Sequence, residues 1–261
     1  MKRFACWLLV MLFLGIAAWG EAPAKNGPKE ITVAAAADLS SALKEIAENY
    51  EKETGVKVKF SFGASGALTQ QIRNRAPFDV FLSADMDYPR QLISHGDAEG
   101  GSLYRYAIGK LALWAPADSP LDVEHRGMNV MADASVKKIA IANPQHAPYG
   151  RAAVAALKHV ELYEQVSDRL VLGENVSQAA QFVESGNAQV GLISLTAASA
   201  PHFKEVGSYV LVPTTAYPPI VQYAVVMAKS ERKADAHAFL DWLLSPAVQG
   251  NLANLGLGAV K

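Results

Sequence analysis

Short apolar runs and apolar residues at helical spacing take turns along this chain, and that alternation limits its possible folds more than any other feature. Ile31-Thr32-Val33, with the alanines that follow, is bounded like a buried parallel strand; Leu39, Leu43, Ile46 and Tyr50 then recur at helical intervals until Gly55 stops them. Val56, Val58, Phe60 and Phe62 alternate with Lys57, Lys59 and Ser61, the pattern of a half-buried strand. Leu68 and Ile72 begin another helix, Val80 to Leu82 is a buried strand, and Tyr88 to Ile93 is helical again. The rhythm resumes with strands at Ile139 to Ile141, Leu170 to Leu172 and Val190 to Leu195. Between them come helices carrying Val154, Leu157 and Val160, then Val176, Ala179, Ala180 and Val183. Such alternation predicts an α/β fold of mainly parallel sheets with helices on both faces.

A length of 261 residues suits two lobes of this kind. Leu111 to Trp114 runs into Pro116 and Pro120 between the blocks, and Pro218-Pro219 leads into Val221 to Met227 after the second. These two apolar strands are read as crossovers. The tail, with Phe239, Trp242, Leu243, Val248 and Leu252 at helical spacing, is read as a helical pair capping the first lobe. The expected division is residues 30–111 plus 223–261 for lobe 1 and 112–222 for lobe 2, a hinged clamp.

The first residues read as an address. Lys2 and Arg3 precede an apolar run from Phe4 to Trp19, and small residues follow, so residues 1–24 are expected to be a cleavable signal peptide cut after Gly20 or Ala24. The run is short for a spanning helix, and Cys6 lies early in it, where a lipid-modified cysteine would lie at its end. With one cysteine, a disulfide framework and a cysteine-cluster metal site are excluded. A net charge of −1 without a lysine or arginine block gives no footprint for nucleic acid or an anionic membrane.

In open α/β sheets ligands gather where strands end and helices begin. Four such turns have unusual chemistry: Ala36-Ala37-Asp38-Leu39, Gly63-Ala64-Ser65-Gly66, His146 to Gly150, and Glu174-Asn175-Val176-Ser177. Singly, each reads as a helix cap. Two per lobe, feeding one cleft, would offer several unpaired backbone N–H groups at positive helix ends, a socket for an anion.

The stretches Ile31 to Leu39, Phe62-Gly63-Ala64-Ser65-Gly66, Ala76 to Asp85 (A-P-F-D-V-F-L-S-A-D) and Asn143 to Gly150 resemble the periplasmic molybdate-binding proteins of ABC importers. The resemblance implies a type II periplasmic-binding fold that closes on molybdate or tungstate, with no cofactor and no catalysis. It further implies a periplasmic monomer that delivers the anion to an inner-membrane ABC permease with its cytoplasmic ATPase. Carried over position by position, the ligand residues fall on Asp38, Ser65, Tyr149 and Val176, with Ala64 and Ser194 behind them. Many members of the family have Ser or Asn where this chain has Asp38, and a tyrosine often found after Leu192-Ile193 is Ser194 here, so the Tyr149 phenol is expected to replace it. Asp38 is expected to cap its helix through the amides of Ser40 or Ser41 and to offer its own N–H; the alternative is a protonated carboxyl that donates.

Other readings remain open. The clamp would also suit sulfate or phosphate. Gly63-Ala64-Ser65-Gly66-Ala67 falls one residue short of a G-x-S-x-G nucleophile elbow, which with His237 would make a secreted serine hydrolase. Arg151 is expected to face solvent, His146 to bond locally, and Trp114 and Trp242 to pack in the core or hinge. Asp79, Asp85 and Asp87 lack the glycine and terminal glutamate of a calcium loop, and Asp85 is read as a helix cap.

Overall fold

The computed structural model describes residues 29–260; the expected signal peptide, residues 1–24, lies outside them. In chain order, the first block is β1 (Glu30–Ala36), α1 (Leu43–Thr54), β2 (Lys57–Gly63), α2 (Ser65–Arg73), β3 (Val80–Ser83), α3 (Asp87–Ser94) and β4 (Tyr104–Gly109). The second is β5 (Leu111–Pro116), α4 (Val123–Arg126), β6 (Ile139–Ala142), α5 (Pro148–His159), α6 (Tyr163–Val166), β7 (Leu170–Gly173), α7 (Val176–Glu184), β8 (Val190–Ser194), α8 (Leu195–Ala198), α9 (Pro201–Val206) and β9 (Gly207–Leu211). The chain then returns through β10 (Ile220–Val226), α10 (Lys233–Leu243) and α11 (Pro246–Asn254).

Two five-stranded sheets result, ordered β2-β1-β3-β10-β4 and β7-β6-β8-β5-β9. In the first, β1 runs parallel to β2 and β3, while β10 is antiparallel to β3 and β4. In the second, β6 runs parallel to β7 and β8, while β5 is antiparallel to β8 and β9. Four strands of each sheet therefore point the same way. The fifth is the strand entering from the other lobe, so the two crossings give each lobe the same topology. Because β1, β2, β6 and β7 end toward the partner lobe, the turns after them face one another.

Strand periodicity sorts the first core. Ile31, Val33 and Ala35 pack with α1, α10 and α11 through Leu43, Ile46, Phe239 and Leu252, whereas Ala34 and Phe81 pack with Leu68, Ile72 and Leu92 of α2 and α3 on the other face. The tail helices thus join the first core. Trp242 lies against Tyr50 with ring centroids 5.0 Å apart, and Trp114 is buried in the second core with its indole N–H donating to the Phe203 carbonyl oxygen. Gly55 ends α1 in the left-handed region at φ 71°, where a side chain would be strained.

The hydrogen-bond ladders move the expected boundaries by a few residues. Leu111, expected in lobe 1, pairs with Ser194 in the second sheet, and Ile220, Val221 and Gln222, expected in lobe 2, pair with β4 in the first. The apolar runs pass through the crossings without a break, so hydropathy alone does not mark where one ladder stops. The chain crosses at Lys110 and at residues 212–219, and the two crossings are tied where the Leu111 N–H donates to the Tyr217 hydroxyl at 3.0 Å. A second difference lies after β1: the helix expected from Leu39 is a short 3-10 turn, Ala37–Leu39, before α1 begins at Leu43.

Candidate functional site

The facing turns line a small pocket between the lobes. The first lobe lines it with Ala36, Ala37, Asp38, Gly63, Ala64, Ser65 and Ala84, the second with Ala147, Pro148, Tyr149, Asn175 and Val176. All four residues expected at the ligand, and Ala64 behind them, are therefore brought together. Ser65 opens α2, Tyr149 is the second residue of α5, and Val176 opens α7. Amides in the first turn of a helix have no acceptor within it, so these N–H groups point outward at positive dipole ends. Alanines keep the walls low. No lysine, arginine or histidine lines the cavity among the described residues.

Side-chain hydrogen bonds brace two of the turns. The Asn175 side chain caps α7 by accepting from the Gln178 N–H at 3.0 Å, which leaves the Val176 N–H for the cavity. The Ser65 hydroxyl oxygen accepts from the Ala84 N–H at 3.0 Å. A hydroxyl has one proton and two lone pairs, so with a lone pair engaged its proton is left to donate.

Asp38 does not cap its helix. The 3-10 turn directs its side chain inward, and it is only 1% exposed. Its Oδ2 accepts from the Tyr149 phenol at 3.0 Å and from Gln222 Nε2 at 2.5 Å. Gln222 is itself oriented by the Tyr106 phenol, which donates to its Oε1 at 2.8 Å. Asp38 Oδ1 is buried with no hydrogen-bond partner. Burial raises the Asp38 pKa to about 7, against the opposing pull of the Gln222, Tyr149 and own-backbone hydrogen bonds. Burial and the neighbouring Asp38 hold the Tyr149 phenol well above its ordinary range, so it remains a donor. That phenol, expected to replace a missing ligand donor, is thus engaged with Asp38.

Ser194 reaches the site only indirectly. It caps α8 by accepting from the Ala197 N–H, and its Oγ lies 2.9 Å from Thr196 Oγ1, which donates to the Asp38 carbonyl oxygen at 2.5 Å. Gln222, Tyr106 and Thr196 were not singled out in the sequence. The one available signal was Gln222 as an amide in an otherwise largely apolar strand.

Hydrogen bonds across the cleft hold the lobes closed. The Gly66 N–H donates to the His146 carbonyl oxygen at 3.0 Å, Ser177 Oγ to the Ala37 carbonyl oxygen at 2.7 Å, and Ser41 Oγ to the Thr196 carbonyl oxygen at 3.0 Å. Arg151 is exposed, as expected, and also reaches across to the Asp85 carboxylate, standing 5.6 Å from the Tyr88 ring centre. It follows Tyr149 by two residues in α5. Asp85 also caps α3 by accepting from the Tyr88 N–H at 3.2 Å, and Asp79 accepts from the Thr32 N–H and the Ser230 hydroxyl. His146, expected to bond locally, instead places Nε2 3.1 Å from the carbonyl oxygen of Glu174, 28 residues on in the next turn. His237 is paired with Glu99 at 2.8 Å, and the Ser65 hydroxyl oxygen takes its hydrogen bond from a main-chain N–H, so the two form no nucleophile and base pair.

Two α/β lobes, joined by two crossings and aiming helix N-termini from both sides at one small cavity, define a solute-binding clamp. The family model described as bacterial extracellular solute-binding protein matches residues 31–257, and the chain belongs to that family. Its work is therefore binding rather than catalysis, and the serine hydrolase reading falls. The chain is 40% identical over 229 residues to the molybdate-binding protein ModA of Azotobacter vinelandii, covering 88% of this chain and 90% of that one. It is also 40% identical over 224 residues to ModA of Rhodobacter capsulatus, covering 86% and 85%. The solved structure of the Azotobacter vinelandii periplasmic molybdate-binding protein superposes with a TM-score of 0.81 at 36% identity, covering 88% of this chain and all of that one.

Proposed function

We propose that this chain captures molybdate, and tungstate with it, between its lobes and delivers the anion to an inner-membrane ABC permease with its cytoplasmic ATPase. The observation that carries the reading is the pocket itself: first-turn residues of helices from both lobes line it, among them a serine that keeps its hydroxyl proton to donate, with no cation among the lining residues. That set matches an acceptor-only tetrahedral dianion. The named relatives support molybdate as the anion. Ser65 donates its hydroxyl and amide, Tyr149 and Val176 their amides, and Asp38 lines the same pocket from the 3-10 turn.

Charge-assisted hydrogen bonds of about 1.5–3 kcal/mol each correspond to roughly 10- to 150-fold in Kd, so a few suffice for tight capture. Donors on both lobes reach the ligand together only when the clamp is shut. The anion therefore shifts the population from open to closed, and the closed form is what a permease can recognise. A fixed shell of donors also rejects a smaller anion, which leaves some of them unpaired. The work is done in the periplasm, after removal of residues 1–24.

Calorimetry of the mature protein with molybdate, tungstate and sulfate at neutral pH tests this. The expected result is one-to-one binding of the first two and none of sulfate. Binding of sulfate alone would keep the clamp and discard the anion.

A further inference from the structure

The Asp38 carboxyl is the one feature of the socket that a bound dianion does not explain. Its two oxygens are treated differently. Oδ2 takes both donors, the Tyr149 phenol and Gln222 Nε2, as a carbonyl oxygen does; Oδ1 takes none, is buried, and belongs to a residue that lines the cavity. An ionised carboxylate in that position would place an unpartnered, buried negative oxygen beside an anion, and both burial and like charge oppose it. A neutral acid with its proton on Oδ1 fits the same geometry: Oδ2 accepts twice, and the Oδ1 hydroxyl becomes one more donor in the pocket wall.

We propose that the socket captures one proton together with the oxyanion, carried on Asp38 Oδ1 and shared with a ligand oxygen, and that release of the anion returns this proton to solvent. The inference rests on the oxyanion reading above and extends it. The proton comes from water, forms a bond to Oδ1, and leaves Asp38 uncharged next to the dianion.

Burial favours the neutral acid, and the hydrogen bonds from Gln222, Tyr149 and the main chain of Asp38 oppose it less strongly. The titratable groups turned toward Asp38 are phenols: Tyr149 from α5, Tyr106 from β4 behind Gln222, and Tyr217 from the crossing behind Tyr149. All three have pKa values pushed upward, chiefly by burial, so they remain neutral donors, and α8 adds only the Thr196 hydroxyl on the main-chain oxygen. Burial already brings Asp38 to about 7 without a ligand, and a dianion within contact raises it further. Above neutral pH, where free Asp38 is ionised, binding must therefore draw in a proton; at acid pH the proton is already there.

Titration of the mature protein with sodium molybdate, in buffers of different ionisation enthalpy, counts that proton directly. At pH 8 the expected uptake is close to one proton per anion, and at pH 5.5 close to zero. The Kd should weaken by about tenfold per pH unit above the Asp38 pKa of the free protein. In Asp38→Asn the uptake should vanish and the Kd should lose this pH dependence, with a thermal melt to verify the fold. Binding by the wild-type protein at pH 8 without proton uptake would overturn this proposal alone. Absence of molybdate binding at either pH would overturn the ligand reading and this inference with it.

Discussion

Ser65 carries two roles that a single substitution separates poorly but measurably. Ser65→Ala removes a donor to the anion, so Kd should rise by roughly 10- to 150-fold in calorimetry. It also leaves the buried Ala84 N–H without its acceptor, which should lower ligand-free stability by about 1–3 kcal/mol. Val176→Ala keeps the only group that Val176 offers, its amide, and should leave Kd nearly unchanged. Asp38 has a distinct signature in the ligand-free protein. Its folded pKa of about 7 exceeds the unfolded value of 3.8, so its contribution to stability is complete below 3.8 and is lost as pH rises through 7. The melting temperature should therefore fall between pH 5 and pH 8 in the wild type and fall less in Asp38→Asn. At this scale the sequence marked Asp38 as out of place and could not say why. Gln222, which holds it, is 184 positions away, and a pairing of that separation leaves no trace in local pattern.

Elements position the donors through contacts too close to admit a methyl group. A Cβ on Gly150 would lie 2.2 Å from the Ala142 carbonyl oxygen, a main-chain atom that cannot turn aside. Gly150→Ala should push α5 off β6 and cost about 1–3 kcal/mol or more, lowering the melting temperature with and without ligand. Gly66 differs, because its neighbours are the end of the Tyr88 ring and, across the cleft, His146 Cβ at 2.8 Å. Gly66→Ala should thus oppose closure and spare the lobes: Kd rises by roughly 5- to 150-fold while the ligand-free melt stays near wild type. The elements themselves were legible because burial imposes periods of two and 3.6, and β1, α1, β2, α7 and β8 lie where those periods run. The 3-10 turn at Ala37–Leu39 was not, since Leu39 and Leu43 keep helical spacing through it. Nor was the division at Leu111 and Ile220, which is decided by ladder pairing within unbroken apolar runs.

For the whole molecule, the central property is that the lobes share one site. The bonds from Gly66 to His146, from Ser177 to Ala37 and from Ser41 to Thr196 join the two lobes, and so does the Arg151 pair with Asp85. Arg151 is partly exposed, so its ion pair should be worth about 0.2–1 kcal/mol. Arg151→Ala should accordingly raise Kd by no more than about fivefold, chiefly through faster dissociation in stopped-flow measurements. The clamp architecture was readable from two α/β blocks and an apolar return strand, whereas the Arg151 pair with Asp85 was not, because the two residues lie 66 positions apart on different lobes.

The most direct test is a crystal structure of the mature protein with molybdate, with data collected at the molybdenum absorption edge. One anomalous peak should lie between the first turns of α2, α5 and α7, within hydrogen-bonding reach of its oxygens to Ser65, Tyr149, Val176 and Asp38. A peak outside the cleft, or a filled cleft contacted by one lobe alone, would contradict the account.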